Sequence, residues 1–366
     1  MSLPIELIEK IYLYLRDKDV ISFSLVCKRH REVLINSPIL TGLISLNIGN
    51  YKIFIPREKR GEVNMRLFKI NLFGSKITND ELLYFSGVYD INLSCTKITD
   101  VGLRNLKDVH IIDLYHTIIT DVGLRYLFEV SNDIYKINLN FTKITNDGLK
   151  HLKNVHTICL NCTNITNEGL RYLSGVHNIR LSNTDITDDG LKYLENVHTI
   201  DLCNTRITGI GLRYLKRVHT IMLSSTKITD EGLGYLPRKA NGLCNVHNIN
   251  LYNTDITDDG LKYLQGVHTI DLNCTKITDS GLKHLSHHGV HTIRLCSTMI
   301  TDAGLKYFSP EVRSVNGVKC IHTIYLYGTQ VTDVGLKYMK GVHTIGTCIT
   351  DNVKDFLREN GTVNIY

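Results

Sequence analysis

One pattern of apolar and polar positions runs through most of the chain: V-x-x-I-x-L-x-x-T-x-I-T-D-x-G-L-x-x-L. The copy beginning at Val197 shows what it predicts. Ile200 and Leu202, two apart, point to one side of a short strand, and Asp201 points to the other. Gly211, Leu212 and Leu215 then fit one turn of helix returning on the outer side. The leucine of the I-x-L pair recurs at Leu72, Leu93, Leu114, Leu139, Leu160, Leu181, Leu202, Leu223, Leu251, Leu272, Leu295 and Leu326. Successive steps are 21, 21, 25, 21, 21, 21, 21, 28, 21, 23 and 31 residues, and because every exception is longer, the array reads as one repeat with insertions. A single unit cannot bury its own apolar face, so the units must stack into a solenoid.

The repeat resembles the leucine-rich repeat, L-x-x-L-x-L-x-x-N-x-L, with threonine (Thr163, Thr184, Thr205) in place of asparagine after the strand. The resemblance implies an α/β fold, a curved leucine-rich-repeat solenoid with parallel strands on the concave face and short helices on the convex face. The threonine hydroxyls are expected to satisfy backbone groups of neighbouring coils. About 12 repeats fill residues 67–341, and residues 41–66, with one strand candidate from Leu43 to Ile48, form an irregular opening cap or linker. Residues 342–366 form a degenerate closing repeat or cap, since VHTIGTCITDNVKDFL lacks the residues that complete I-x-L-x-x-T. A length of 366 therefore stands for a short N-terminal module plus one array, not two or three globular domains.

Residues 1–40 share none of this pattern. Leu3, Leu7, Ile11 and Leu15 fall four apart, with Ile8 and Tyr12 beside them, on one helix face. Pro4 suits the first turn, where its missing N–H would be unpaired anyway. Asp17 and Asp19 break the stripe before a second helix with Val20, Phe23 and Val26, and a third runs from Lys28 to Ser37-Pro38. The segment LPIELIEKIYLYLRDKDVISFSLVCKRH is similar to the F-box, through Leu3, Pro4, Glu6, Leu7, Ile11, Leu15, Asp19, Val26, Cys27 and Lys28. His30 stands where that family usually has Trp, and the chain has no Trp. The resemblance implies a three-helix module docking on the SKP-type adaptor of a cullin–RING ubiquitin ligase. Leu3, Pro4, Leu7, Ile11, Leu15, Val26 and Cys27 would carry that contact. A helical cap over the first coil would also need an apolar stripe; the L-P-x-E-L start and the V-C-K segment in register favour the F-box.

Composition narrows the picture. A chain 43% hydrophobic and 21% charged is not disordered as a whole. The N-terminus lacks the pattern of a signal peptide, and no run of about 18 apolar residues could span a membrane. Ten scattered cysteines point to a reducing compartment, hence the cytoplasm, with the nucleus or a host cell as alternatives. Cys159 and Cys162 form a C-x-x-C with no second pair, too little for a metal or redox site. The paucity of Ala and wealth of Ile, Lys, Asn and Tyr resemble AT-rich coding, a bias shared by F-box and repeat proteins of giant amoeba viruses. Ten histidines, at His110, His156, His177, His198, His219, His247, His268, His291, His322 and His343, hold one repeated position. Strand spacing stacks them into a structural ladder, favoured over a metal site, whose ligands must converge where a ladder spreads them out, and over a pH switch, since close stacking disfavours charging neighbours together. The net charge of +6 includes a row from Arg104 to Lys337 on the outer helices. Asp100, Asp121, Asp188, Asp258, Asp279, Asp302 and Asp333 stand four residues before such cations, a helix-stabilising spacing that would neutralise the row and argues against nucleic acid.

No P-loop, G-x-S-x-G, H-E-x-x-H or acid–base pair is present, so neither an enzyme nor a cofactor is expected. The expected function is the substrate-recognition subunit of an SCF-type ligase, acting as a monomer and holding an unknown target protein on the concave face. Its expected contacts are Tyr115, Phe141, Arg180, Asp201, Tyr252, Arg294, Tyr325 and Tyr327, because tyrosine and arginine dominate interface anchors. Insertions near Ser131, at Pro237 to Cys244, at His287-His288 and at Ser309 to Cys320 emerge on one edge and could add recognition loops. The alternatives are a stand-alone repeat scaffold or inhibitor, and a decoy that sequesters the adaptor.

Overall fold

The computed structural model describes residues 45–47, 69–285, 289–309, 321–348 and 351–366. The seven adaptor-facing residues expected between Leu3 and Cys27 lie outside them, as do His287, His288 and most of the Ser309 to Cys320 insertion. The chain divides into two compact units, Met1–Ile165 and Thr166–Tyr366.

The first unit carries β1 (Ser45–Asn47), β2 (Lys69–Asn71), β3 (Asp90–Asn92), β4 (Ile111–Asp113), β5 (Lys136–Asn138) and β6 (Thr157–Cys159). They pair in parallel and in register, so that Ile70, Ile91, Ile112, Ile137 and Ile158 stack in one line. β1, at the expected Leu43 to Ile48 strand, pairs with β2. The second unit repeats the arrangement with β7 (Asn178–Arg180), β8 (Thr199–Asp201), β9 (Thr220–Met222), β10 (Asn248–Asn250) and β11 (Thr269–Asp271). It continues through β12 (Thr292–Arg294), β13 (Thr323–Tyr325), β14 (Thr344–Gly346) and β15 (Asn364–Ile365). Each unit is a leucine-rich-repeat solenoid of parallel strands on one face and short helical turns on the other. The longer helices are Asp121–Val130 and Asp351–Glu359. No helix among the described residues is long and apolar enough to cross a membrane.

The core is the stack of repeat positions itself. Val197, Ile200, Leu202, Ile207, Leu212 and Leu215 are all fully buried, and the other described repeats bury their own copies, apart from Ile77 and Val331 at the two ends, which are half-buried. Each such leucine or isoleucine contributes about 1.5–3 kcal/mol by leaving water, which compensates for strands only three residues long.

Two expectations about polar groups are corrected. The threonine after each strand does not bridge coils; its hydroxyl turns back on its own coil, Thr205 Oγ1 donating to Leu202 O at 2.5 Å and Thr254 Oγ1 to Leu251 O at 2.7 Å. The turn after the strand brings that carbonyl within reach of a short side chain three residues on. The bridge between coils is made by the second threonine, of I-T-D. Thr120 donates its N–H and hydroxyl to the two carboxylate oxygens of Asp100 at 2.8 and 2.6 Å. Thr145 on Asp121, Thr257 on Asp230, Thr278 on Asp258, Thr301 on Asp279 and Thr332 on Asp302 repeat the bond. These aspartates therefore reach forward to the next coil. Several cations of the row lie over tyrosines, as Arg104 over Tyr126 at 3.5 Å and Arg213 over Tyr235 at 4.6 Å.

The Asp–Thr brace also explains the invariant spacing of the glycine in D-x-G-L. A Cβ at Gly148, Gly260, Gly281, Gly304 or Gly335 would overlap the carboxylate oxygen of the preceding coil's aspartate. Gly209 takes the place of aspartate in one coil and holds φ at +118°. There Thr229 N–H bonds the Thr208 carbonyl at 3.3 Å in place of a carboxylate. Burial pushes the Asp188 carboxyl up, but the Thr208 hydroxyl and the N–H groups of Gly211, Thr208 and Gly209 outweigh it and hold the group below the usual carboxylate range.

Candidate protein-interaction surface

On the strand face, the position between the buried Ile and Leu is less free than its variability suggests. Where it holds Asn or Asp, the side chain accepts the N–H two residues on, closing the turn that ends the strand. Asn71 does so for Phe73, Asp113 for Tyr115, Asp201 for Cys203, Asn250 for Tyr252 and Asp271 for Asn273. Asp201, expected as a target contact, is thereby a half-buried turn residue. The departures from Asn and Asp in this column are the informative positions, and they include Arg180, Arg294 and Tyr325.

A second column was not legible beforehand. Two residues after the leucine the backbone is left-handed in most coils, with φ between +52° and +57° at His116, Phe141, Cys162, Asn183, Asn204, Ser225, Asn253, Cys274 and Ser297. Asn and Ser tolerate this; a phenylalanine is an outlier there. Phe141 is nevertheless 47% exposed, so no burial of its ring compensates for the strain.

In the first unit the structure brings the two expected anchors together: the Tyr115 and Phe141 rings meet edge to face at 5.5 Å, with His116 6.4 Å from Phe141. In the second unit Arg180 is exposed and pairs in register with Asp201, while Tyr252 stands apart, also exposed. Arg294, Tyr325 and Tyr327 gather on β12 to β14. The Arg294 guanidinium lies 5.4 Å from the Tyr325 ring centre and 3.9 Å from the Asp271 carboxylate. Gly346 forms the floor of this cluster. A Cβ there would overlap Tyr325 Cδ1 and stand 3.0 Å from Tyr327 Cε2. Replacing Gly346 with valine is therefore expected to lift both tyrosines and cost about 1–3 kcal/mol by overpacking; near-ultraviolet circular dichroism and thermal unfolding measure the two effects. An unchanged tyrosine signal would contradict the packing.

The two described insertions are anchored elements. Ser131 is buried, its hydroxyl donating to Leu106 O at 2.6 Å and accepting from Val109 N–H at 3.1 Å. Pro237 to Cys244 doubles back as an antiparallel bridge between Arg238 and Cys244, and Arg238 donates to Gly242 O at 3.0 Å. Among the described residues no group of three His, Cys, Asp or Glu is placed to hold a metal. Cys159 is buried and Cys162 half-buried. Burial, aided by Asp201, pushes the Cys203 thiol up to about 11, far from a reactive thiolate.

The F-box domain profile matches residues 1–39, and a leucine-rich-repeat profile matches residues 267–286. A search of curated proteins found no match. Among solved structures, an internalin from Listeria monocytogenes aligns at 17% identity and a TM-score of 0.58, covering 84% of this chain and 88% of that one. The mouse RP105/MD-1 complex aligns at 15% identity and a TM-score of 0.57, covering 81% of this chain and 54% of that one. At such identities these likenesses speak for the fold alone. The chain thus carries an F-box domain at its N-terminus and leucine-rich repeats in the array that follows.

Proposed function

We propose that this chain is the target-recognition subunit of an SCF-type cullin–RING ubiquitin ligase. The supporting observation is the order of parts: an F-box profile over residues 1–39 ahead of a repeat array with no catalytic motif. The F-box engages the SKP-type adaptor through Leu3, Pro4, Leu7, Ile11, Leu15, Val26 and Cys27, over residues 1–40. The array at 67–341, between the opening segment 41–66 and the closing segment 342–366, holds a target protein. Ubiquitin transfer is carried out by other subunits, by proximity, with a monomer of this chain acting in the cytoplasm. Braced coils suit that role, because each unit then presents its strand-face residues in a fixed register to a target.

Two anchor groups fit target contact: Tyr115 with the strained, exposed Phe141, and Arg294 with Tyr325 and Tyr327. Arg180 and Tyr252 add to the strand face of the second unit, where Asp201 also closes the turn after its strand.

The deciding experiment is affinity capture of the full chain from cell extract. SKP-type adaptor and cullin are expected with the wild type and lost with Leu3→Asp plus Ile11→Asp. Equal recovery with that variant, or no adaptor with the wild type, refutes the reading. Among captured proteins, the target is the one whose recovery falls about tenfold or more with Tyr325→Ala plus Arg294→Ala while the adaptor stays, in line with about 2 kcal/mol for an anchor residue.

A further inference from the structure

In the second unit one face of the strand row carries an unbroken stack of imidazoles. His177, His198, His219, His247, His268, His291, His322 and His343 follow one another at ring-centre distances of 4.3–4.9 Å and interplanar angles of 9–19°. The spacing is imposed by the backbone: His198 N–H bonds His177 O at 2.8 Å, and the chain of bonds continues to His322 on His291 at 2.9 Å. The ladder holds the coils, and so the roots of these side chains, at one stacking distance. The Nδ1 atoms of His219, His268, His291, His322 and His343 each meet the hydroxyl of the following threonine at 3.0–3.4 Å.

The first unit fills the same column differently. Tyr89, His110, Tyr135 and His156 alternate, stacked at 4.4–5.5 Å. Here no histidine lies between two others, and the Asp133 carboxylate stands 3.5 Å from His110 Nδ1.

We infer that the histidine stack makes the second unit, and not the first, open on mild acidification. Protonating one imidazole sets a positive charge within 5 Å of the next ring on either side, so neighbours resist charging together. An unfolded chain has no such constraint. The charged Arg217 stands two residues before His219, and the rings meet one another and the hydroxyls of the threonines one residue on. The charged strand residues Arg180, Asp201, Asp271 and Arg294 lie two residues further, and Glu195 and Lys216 pair with each other at 3.2 Å on the turns before β8 and β9. Burial first, and then the adjacent histidines, hold His198, His219, His268 and His322 below 6.5, with no acid side chain offsetting them. In the first unit His151, on the outer face, is lowered by its burial and by Lys150 and Arg125, one residue against a row.

The sign follows from proton counting. Well above 6.5, near pH 7.5 and higher, these histidines are almost wholly neutral in both the folded and the unfolded chain and stability is nearly unaffected. As pH falls below 6.5 the unfolded chain takes up protons that the folded stack resists, so folding weakens until the depressed folded values are reached. Asp188, held low, adds its own loss only at pH values well below this window.

Hydrogen exchange of the full chain, converted to opening constants at pH 7.5 and 5.5, tests the inference. Peptides covering β7 to β14 are expected to lose at least tenfold in protection, and those covering β3 to β6 less than threefold. His198→Tyr, His247→Tyr and His291→Tyr together recreate the tyrosine–histidine alternation of the first unit and should abolish most of the difference. Equal losses in both units, no loss in either, or an undiminished response in the triple variant overturns the inference. Should that variant not fold, imidazole titration of the wild type by NMR decides. Broad titrations with Hill coefficients below 1 support coupling, and independent single-site curves refute it.

Discussion

Replacing Gly281 with alanine is expected to destabilise the array by about 2–5 kcal/mol, far more than a methyl group on an exposed helical turn would suggest. The added Cβ would overlap Asp258 Oδ1 and stand 3.0 Å from Leu261 Cδ1. Asp258 is held in place by the Thr278 N–H at 2.8 Å and hydroxyl at 2.5 Å, so it cannot yield without giving up both bonds. The Cβ must therefore shift a packed coil or expel a carboxylate from its partners. Urea unfolding of the full chain measures the cost. The double variant Gly281→Ala with Asp258→Ala separates the causes: removing the carboxylate frees the space, so the two changes are expected to be strongly non-additive. Wild-type stability in the single variant, or strict additivity in the double, would contradict the brace.

A cavity at Leu202 is the second large effect. Leu202 is fully buried, and Leu202→Ala is expected to cost about 2–5 kcal/mol. The upper end applies because collapse is resisted on both sides. Leu181 N–H bonds Asp201 O at 2.8 Å and Leu202 N–H bonds Met222 O at 2.9 Å, fixing coil spacing through the backbone. In a stacked array each coil contacts only its neighbours, so the damage is local. Hydrogen exchange should show β7 to β9 opening first, with β12 and β13 following only at higher denaturant. A loss below about 1 kcal/mol, or one spread evenly over the unit, would show that the coils are not independent in this way.

Much of the site was legible in the sequence because outward positions are read directly from strand alternation. Tyr115, Arg294 and Tyr325 needed nothing more than their place beside a buried Ile or Leu. Asp201 has a second role that alternation does not show: the pattern says which way a side chain leaves the strand, but not that its carboxylate curls back on Cys203 N–H. Phe141 was noticed as an aromatic residue, whereas its left-handed backbone, φ +57°, is invisible without coordinates. The role of Gly346 is not legible in the sequence, because it is to leave room for two tyrosines of the preceding coil, Tyr325 on its strand and Tyr327 in the turn after it.

The outer row shows the same division. Asp at four residues before Lys is a sound helix pattern, yet many of these helical turns are only four residues long, such as Asp258–Leu261, and the cation falls at or past their end. The carboxylate is then free to turn to the next coil, where two donors of one threonine outcompete a solvated ammonium.

By itself the sequence determined the repeat, its strand and helical turn, the buried Ile and Leu columns and the stacking of histidines. All of these follow from a period: equal residues at equal intervals must occupy equal places once the coils stack. Only the tertiary structure decided which polar atoms bond across coils, why each D-x-G needs its glycine, and which rings have neighbours that share their charge. Those depend on distances between residues about twenty apart, and short-range hydrogen bonding and Coulomb repulsion change decisively over an ångström that no spacing in a sequence can specify.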